Sequence, residues 1–328
     1  MFSSLVFFAI YVLGLPRWLI MLFYGILLLL IFWNLYRLLR NNYIAAKTEE
    51  KALQVFKLLL KRGFFVISDI VGEQVKIKNE AWRAKDRYIS HIHSIKHEGE
   101  RVAISIKPSQ CGLYVNINNP ELCRKIISSI ISQAYLNNIF VWIDAEKKQD
   151  REDVFRILFF LKSKARNWRG DNFGVALQAN HSDARQFLEK YLKFNIPVRL
   201  VKGAYTDGDL KGPAIDENFY NLVDYCDEYA VENPNAVFLS LGTHDKDLIF
   251  YAGNSVKEFQ FLFGVNCDLA EKMVKAGKRV VIYAPWGQNA GAYLYRRFRE
   301  GIRFTTFFLF LRNLWSGYRF RKRLARLS

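Results

Sequence analysis

The chain has 328 residues, 51% hydrophobic and 16% aromatic, enough to fill a large core and to exclude a disordered chain. Lysine and arginine total 48 against 31 acidic residues, and the formal charge of +17 points to an anionic partner: nucleic acid, phospholipid headgroups or a phosphate-bearing cofactor. Four scattered cysteines, Cys111, Cys123, Cys226 and Cys267, form no CxxC pair, which argues against a disulfide framework or thiolate zinc site and fits a reducing compartment.

Residues 1–40 read as a membrane anchor. Trp18 to Tyr36 is a 19-residue stretch interrupted only by Asn34 and the aromatic hydroxyls, long enough as a helix to cross about 30 Å of hydrocarbon. A shorter apolar piece, Leu5 to Leu15, stops at Pro16-Arg17, so the anchor is either a single transmembrane helix or a helical hairpin. A cleaved signal peptide is disfavoured, because the extreme N-terminus lacks a basic residue and no small-residue cleavage pattern follows. Arg37, Arg40 and Lys47 precede the next acidic residue, Glu49, and this bias places the main domain at the cytoplasmic face of the cell membrane.

Residues 41–300 alternate short β-rich runs with helical patterns. Strands are predicted at Phe64 to Ser68, Val102 to Ile106, Phe140 to Ile143, Val175 to Gln178, Val198 to Val201, Val237 to Leu241, Phe259 to Phe263 and Val280 to Tyr283. Helices are predicted around 80–97, 119–136, 151–166, 182–193, 216–231, 244–254, 267–277 and 289–300. Eight such alternations favour a (β/α)8 TIM-like barrel over an open doubly wound sheet, and no Gly-x-Gly-x-x-Gly or Walker-type loop opens a helix. Residues 301–328 combine Phe307 to Leu311 with Arg312, Arg319, Arg321, Lys322, Arg323 and Arg326. That pattern suits a basic amphipathic tail on anionic lipid, with a surface helix packed on the domain as its alternative.

The polar residues fall where a barrel builds active sites, at the C-terminal strand ends: Asp69, Lys107, Asp144 with Glu146, Gln178, Lys202 with Tyr205, Thr243 with His244, and Tyr283. Any one alone is as readily a strand-end hydrogen bonder; seven strands ending this way form a pattern. On the last helix Tyr293, Arg296, Arg297 and Glu300 share a face, and paired guanidinium groups can hold a small carboxylate bidentately. His91, His93 and His97 read as a solvated helix face rather than a metal site, and no nucleophile elbow or Cys-His pair supports a hydrolase.

Two strings, Arg199-Leu200-Val201-Lys202-Gly203-Ala204-Tyr205 and Tyr283-Ala284-Pro285-Trp286-Gly287 followed by Tyr293-Leu294-Tyr295-Arg296-Arg297, resemble the proline dehydrogenase family. Shorter matching pieces occur in order: Ser68 to Glu73, Ser105-Ile106-Lys107, Ile143 to Glu146, Leu177-Gln178-Ala179, Gly242-Thr243-His244 and Glu258 to Gly264. The resemblance covers about residues 50 to 312. It implies a distorted barrel with FAD across its C-terminal mouth and the last helix over the flavin. It further implies oxidation of L-proline to Δ1-pyrroline-5-carboxylate, by hydride transfer from the ring carbon beside nitrogen to flavin N5, with a membrane quinone taking the electrons. A separate pyrroline-5-carboxylate dehydrogenase would then receive the product, and no nucleic-acid partner is expected.

By the same resemblance, Arg296, Arg297 and Lys107 would clamp the substrate carboxylate, with Asp144 paired to Lys107 and Arg199 near flavin N5. Tyr205, Tyr283 and Tyr293 would wall the proline ring, Tyr283 favouring proline where hydroxyproline-oxidising relatives carry a smaller residue. Ala145, Gln178, Val201, Lys202, Gly203 and Ala204 would contact the flavin, Thr243 and His244 its ribityl or pyrophosphate part, and Glu300 the adenosine end. No metal is expected. Three positions depart from the family pattern: Asp245 stands for the usual asparagine, Asn180 for a common tyrosine and Thr206 for a common tryptophan. Alternative readings are a dehydrogenase of another cyclic amino acid, such as hydroxyproline, and a non-catalytic membrane or nucleic-acid adaptor.

Overall fold

Eight runs of β-branched and aromatic residues form eight parallel strands that close on themselves in sequence order: β1 (Phe65–Ile70), β2 (Val102–Ile106), β3 (Val141–Ile143), β4 (Phe173–Gln178), β5 (Val198–Val201), β6 (Leu239–Gly242), β7 (Glu258–Leu262) and β8 (Val280–Trp286). The structure is a computed structural model that describes residues 17–72, 74–116, 119–164, 172–203, 207–234, 239–253, 256–301 and 307–326. Eleven helices surround the sheet among the described residues: α1 (Arg17–Tyr43), α2 (Glu49–Lys61), α3 (Lys78–Ile95), α4 (Glu121–Leu136), α5 (Arg151–Lys164), α6 (Ala184–Lys193), α7 (Pro213–Glu232), α8 (Lys246–Ala252), α9 (Cys267–Lys275), α10 (Gly291–Gly301) and α11 (Phe307–Ala325). The expected (β/α)8 barrel is the fold.

The core has two layers because successive strand residues point to opposite faces. Outward residues such as Val66, Ile104, Val141 and Leu200 pack under the helices in the main apolar cluster, while Ile67, Trp142, Val281 and Tyr283 fill the barrel interior. Trp142 fits there because its partner across the ladder is Gly174, where a Cβ would stand 2.7 Å from the indole and 2.8 Å from the Pro197 carbonyl. Strand β8 runs three residues past the predicted end, since Pro285 and Trp286 stay in register with Asp69 and Ile70.

Helix α2 was not among the predicted helices. Its buried residues Ala52, Phe56, Leu59 and Leu60 recur at helical spacing, and each large one adds about 2 kcal/mol on burial. His91 departs from the expected solvated face: it is 1% exposed, while His93 and His97 are exposed as expected. All four cysteines are free and buried.

Neither end of the barrel stops at the boundary drawn from sequence. Helix α1 continues unbroken through residue 40, and its last turns pack against α10 and α11. Helix α11 does not lie free as a tail. Phe310, Phe320 and Leu324 are buried against the barrel, leaving Leu311, Trp315 and Tyr318 exposed. The first apolar piece, Leu5 to Leu15, and the strand start at Val237 lie outside the described residues.

Candidate active site

Inward-facing polar residues gather at the C-terminal end of the interior. Asp69 ends the inward set of β1, Lys107 and Asp144 follow β2 and β3, Arg199 lies on β5, and Tyr283 on β8. Lys107 Nζ donates to Asp69 Oδ1, lies 3.2 Å from Asp144 Oδ2 and 3.3 Å from the Tyr283 hydroxyl. The Tyr283 hydroxyl donates to Asp144 Oδ2 at 2.7 Å, and Asp144 Oδ1 accepts from the Ser105 hydroxyl and from Arg199. Arg199 also donates to Gln260 Oε1 at 3.2 Å, and Gln260 donates in turn to Glu258 at 2.6 Å. Its guanidinium lies 5.2 Å from the Trp142 ring and 5.5 Å from that of Tyr283.

Burial alone would neutralise these groups, so their pairing decides their charge. It would raise the Asp144 carboxyl, but Lys107 and Arg199, with hydrogen bonds from Ser105 and Tyr283, outweigh it and hold Asp144 well below the usual carboxylate range. Burial would lower the Lys107 ammonium, and Asp69, Tyr283 and Asp144 reverse that and raise it. Asp69 goes the other way: desolvation at a fully buried site raises it despite Lys107. Pairing therefore favours the charged forms of Lys107 and Asp144, while burial pushes Asp69 toward its neutral form.

This network floors a cavity of about 420 Å³ at the C-terminal mouth, within the range of ligand pockets. Lys107, Asp144, Ala145, Gln178, Arg199, Val201, Lys202, Gly203, Thr243, His244, Tyr283, Tyr293, Arg296 and Arg297 all line it, as do residues assigned no role from sequence, Gln260, Asn266 and Asn313. Asn313 comes from α11, beyond any strand end, so no local signal placed it here. Asp69, named among the strand-end residues but given no role there, lies two residues beyond inward-facing Ile67 and so turns into the same network. Ala204, Tyr205 and Thr206 lie outside the described residues, as does the side chain of Glu300. A second cavity of about 910 Å³ at the opposite end touches Phe65, Trp142 and Val281. Strand-end chemistry in barrels sits at the C-terminal face, which selects the smaller one.

Local contacts fix the rest of the wall. Gln178 donates to the Glu146 carbonyl at 2.9 Å, and Glu146 accepts from the Ser109 backbone N–H and hydroxyl. The Leu262 N–H donates to His244 Nε2 at 2.9 Å, so that imidazole carries its hydrogen on Nδ1. Burial and the Arg297 charge push it down to about 3. Lys202 bridges Asp216 and, at 2.8 Å, Asp245. Asp245 also caps α8, accepting from the Asp247 N–H at 3.0 Å. On α10, Arg297 lies 5.4 Å from the Tyr293 ring. Among the described residues there is no group of three or more histidine, cysteine or acidic side chains that could hold a metal ion.

Comparison with known proteins supplies the family. The chain is similar to proline dehydrogenase 1 of Bacillus subtilis (strain 168), 25% identical over 279 residues, covering 80% of this chain and 87% of that one. It is similar to the proline dehydrogenase of Deinococcus radiodurans, 26% identical over 281 residues, covering 82% and 86%. Its fold matches proline utilization A from Bdellovibrio bacteriovorus, with a TM-score of 0.76 and 21% identity over 86% of this chain, and spans 34% of that longer one. Residues 52–308 match the family model for proline dehydrogenase, and the chain belongs to that family of oxidoreductases.

Proposed function

We propose that the chain is an FAD-dependent dehydrogenase, anchored at the cytoplasmic face of the membrane, that oxidises L-proline to Δ1-pyrroline-5-carboxylate with a membrane quinone as electron acceptor. The observation that carries this reading is one cavity in which Arg296 and Arg297 meet the network of Lys107, Asp144, Arg199 and Tyr283.

The side chains suit the cofactor. Ala176, Val201 and Leu262 offer an apolar surface for a planar ring, Gln178 and Arg199 offer donors to its heteroatoms, and Lys202 with Thr243 and His244 borders a path for a phosphate tail. Ala145, Gly203, Ala204 and Glu300 complete the proposed contacts. When bound there, FAD supplies the hydride acceptor. Arg199 then places a positive charge where negative charge develops.

Arg296, Arg297 and Lys107 hold the substrate carboxylate through charge-assisted hydrogen bonds and fix the ring's orientation, while Tyr205, Tyr283 and Tyr293 wall it. Hydride loss beside nitrogen needs the nitrogen lone pair, so proline must react as the free amine. Four cations, Lys107, Arg199, Arg296 and Arg297, border the site and disfavour the ammonium form. Asp144, held ionised, fixes Lys107, Arg199 and Tyr283 around it. A separate dehydrogenase would consume the product, and no nucleic-acid partner enters this reading.

The test is the visible spectrum of detergent-purified, FAD-reconstituted protein before and after anaerobic L-proline. Flavin bands that bleach with proline, and more slowly with hydroxyproline, are expected. Bands unchanged by proline would move the substrate elsewhere, and a protein that takes up no flavin would end the enzyme reading in favour of an adaptor.

A further inference from the structure

We propose that α1 is a rigid strut that holds the barrel with its C-terminal mouth, and so the cavity, turned toward the bilayer. This rests on the reading of α1 as a membrane anchor. The part of α1 from Trp18 to Tyr36 is about 28 Å long at 1.5 Å per residue, and its apolar side chains are largely exposed. Asn34 and exposed Arg37 mark its lower end. Within the same helix, Leu39, Arg40, Asn42 and Tyr43 are buried, so one continuous rod joins lipid-length surface to the barrel core.

The buried end is locked to the strand-end rim, not to the barrel's side. Leu39 and Tyr43 share an apolar cluster with Val71, Val265, Leu294 and Phe310. Arg40, one of the basic residues that follow the span, donates to the Gly287 carbonyl at 2.7 Å and the Gln288 carbonyl at 3.1 Å, in the turn between β8 and α10. Asn42 donates to the Gly264 carbonyl at 3.2 Å, beyond the end of β7. A Cβ on Gly264 would stand 2.1 Å from the Asn42 carbonyl oxygen, and one on Gly317 of α11 would stand 2.0 Å from Asn42 Oδ1. The chain then pairs with the end of β8, the Ala45 N–H donating to the Pro285 carbonyl at 2.7 Å.

These contacts fix direction. Leu39 packs with Phe310, Asn42 meets Gly317 and the Ile44 carbonyl accepts from Arg321, so α1 and α11 run side by side in the same sense. Further along α11, Phe320 reaches Phe64, just before β1, so earlier residues of α1 extend past the N-terminal turn of α11 on the mouth side. The bilayer that takes up Trp18 to Tyr36 therefore lies over the mouth, and Arg37 and Arg312, both exposed at this level, meet anionic headgroups. A lipid-dissolved electron acceptor would then approach the cavity from the membrane side, and the cavity at the other end would face away.

Because all four native cysteines are buried, single cysteines can report this orientation. Asn289→Cys labels the exposed β8–α10 turn, and Val231→Cys labels the far end of α7, where Val231 is 83% exposed. The full chain, carrying an environment-sensitive fluorophore, is reconstituted in phosphatidylcholine–phosphatidylglycerol vesicles containing headgroup-spin-labelled lipid. Quenching at least threefold stronger at position 289 than at 231 is expected. Equal quenching, stronger quenching at 231, or a chain washed from the vesicles at high pH would overturn the proposal. Inserting Gly-Gly-Ser-Gly-Gly between Asn34 and Leu35 should bring the two labels toward equality, and an undiminished contrast would show that α1 does not set the orientation. None of these readouts requires proline oxidation, so they fail independently of the enzyme reading.

Discussion

Ser68 and Asp69 are consecutive on β1, yet they enter two networks of opposite character. Ser68 points outward, where its hydroxyl accepts from the Trp286 indole at 2.8 Å and lies 2.7 Å from His91 Nε2, and His91 Nδ1 lies 2.8 Å from Glu49. Ser68, His91 and Trp286 are buried, and this chain ties α2, α3, β1 and β8 together. Asp69 points inward to Lys107, where the network carries several charges and opens to a cavity, Lys107 and Asp144 keeping 11% and 14% of their side-chain exposure. Serine, histidine and a carboxylate in series resemble a hydrolytic triad in residue type alone. Access separates the two: a nucleophile with no exposed surface cannot meet a substrate, whereas a charged group at a cavity can.

If the inner network is chemical and the outer one structural, substitutions on the two sides should separate activity from stability. The largest effect is expected from Lys107→Met, which removes the cation shared by Asp69 and Asp144. It should lower kcat/KM for proline by on the order of 10²–10³-fold and cost about 3 kcal/mol of stability by stranding buried carboxylates. Steady-state kinetics and urea denaturation measure both, and an active Lys107→Met would remove this network from the chemistry. Arg296→Lys comes next. It keeps the charge but loses the planar fork, so KM should rise about 10- to 100-fold with little change in Tm, because Arg296 is only half-buried.

His91→Ala probes the outer side. It removes the imidazole that links Ser68 to Glu49, leaving Ser68 only the Trp286 indole, and opens a hole beside Phe56 and Trp286, whose rings lie 6.4 and 5.0 Å from the imidazole. A loss of about 3 kcal/mol is expected by chemical denaturation, with kcat/KM of the remaining folded enzyme within about twofold of the parent. A large fall in kcat at unchanged stability would erase the contrast between the two faces of β1.

The strands were legible because β-branched runs bounded by turns recur eight times, and most of the polar mouth residues were legible because they fall at or just past the C-terminal ends of those runs. His91 was misread although Ala81, Ala84, Tyr88, Ile92 and Ile95 mark the buried side of α3, and His91 falls among them. Residue type outweighed position there. The contacts of Arg40 were hidden for a different reason: its acceptors, Gly287 and Gln288, lie nearly 250 residues away, and carbonyls leave no trace in sequence. The joining of α1 and α11 over the rim was hidden likewise, because each has an exposed apolar face besides its buried one, and composition does not say which face is which.

Asp245, read from the sequence as a departure from the family pattern, gives the smallest and sharpest test. A carboxylate beside Thr243 and His244 would repel a cofactor phosphate if it stood alone. It does not stand alone, since one oxygen accepts from Lys202 and the other from the Asp247 N–H at the start of α8. Burial would raise this carboxyl, but the hydrogen bond and charge of Lys202 prevail and lower it, so the charge persists and is locally matched. Asp245→Asn keeps a capping oxygen and loses only a half-exposed ion pair, worth under about 1 kcal/mol. Stability should change by less than that, and affinity for the proposed FAD, read by flavin fluorescence titration, should shift by less than about threefold, since Lys202 already screens the charge. A tenfold tightening would mean that the matching fails and that Asp245 weakens cofactor binding in this chain.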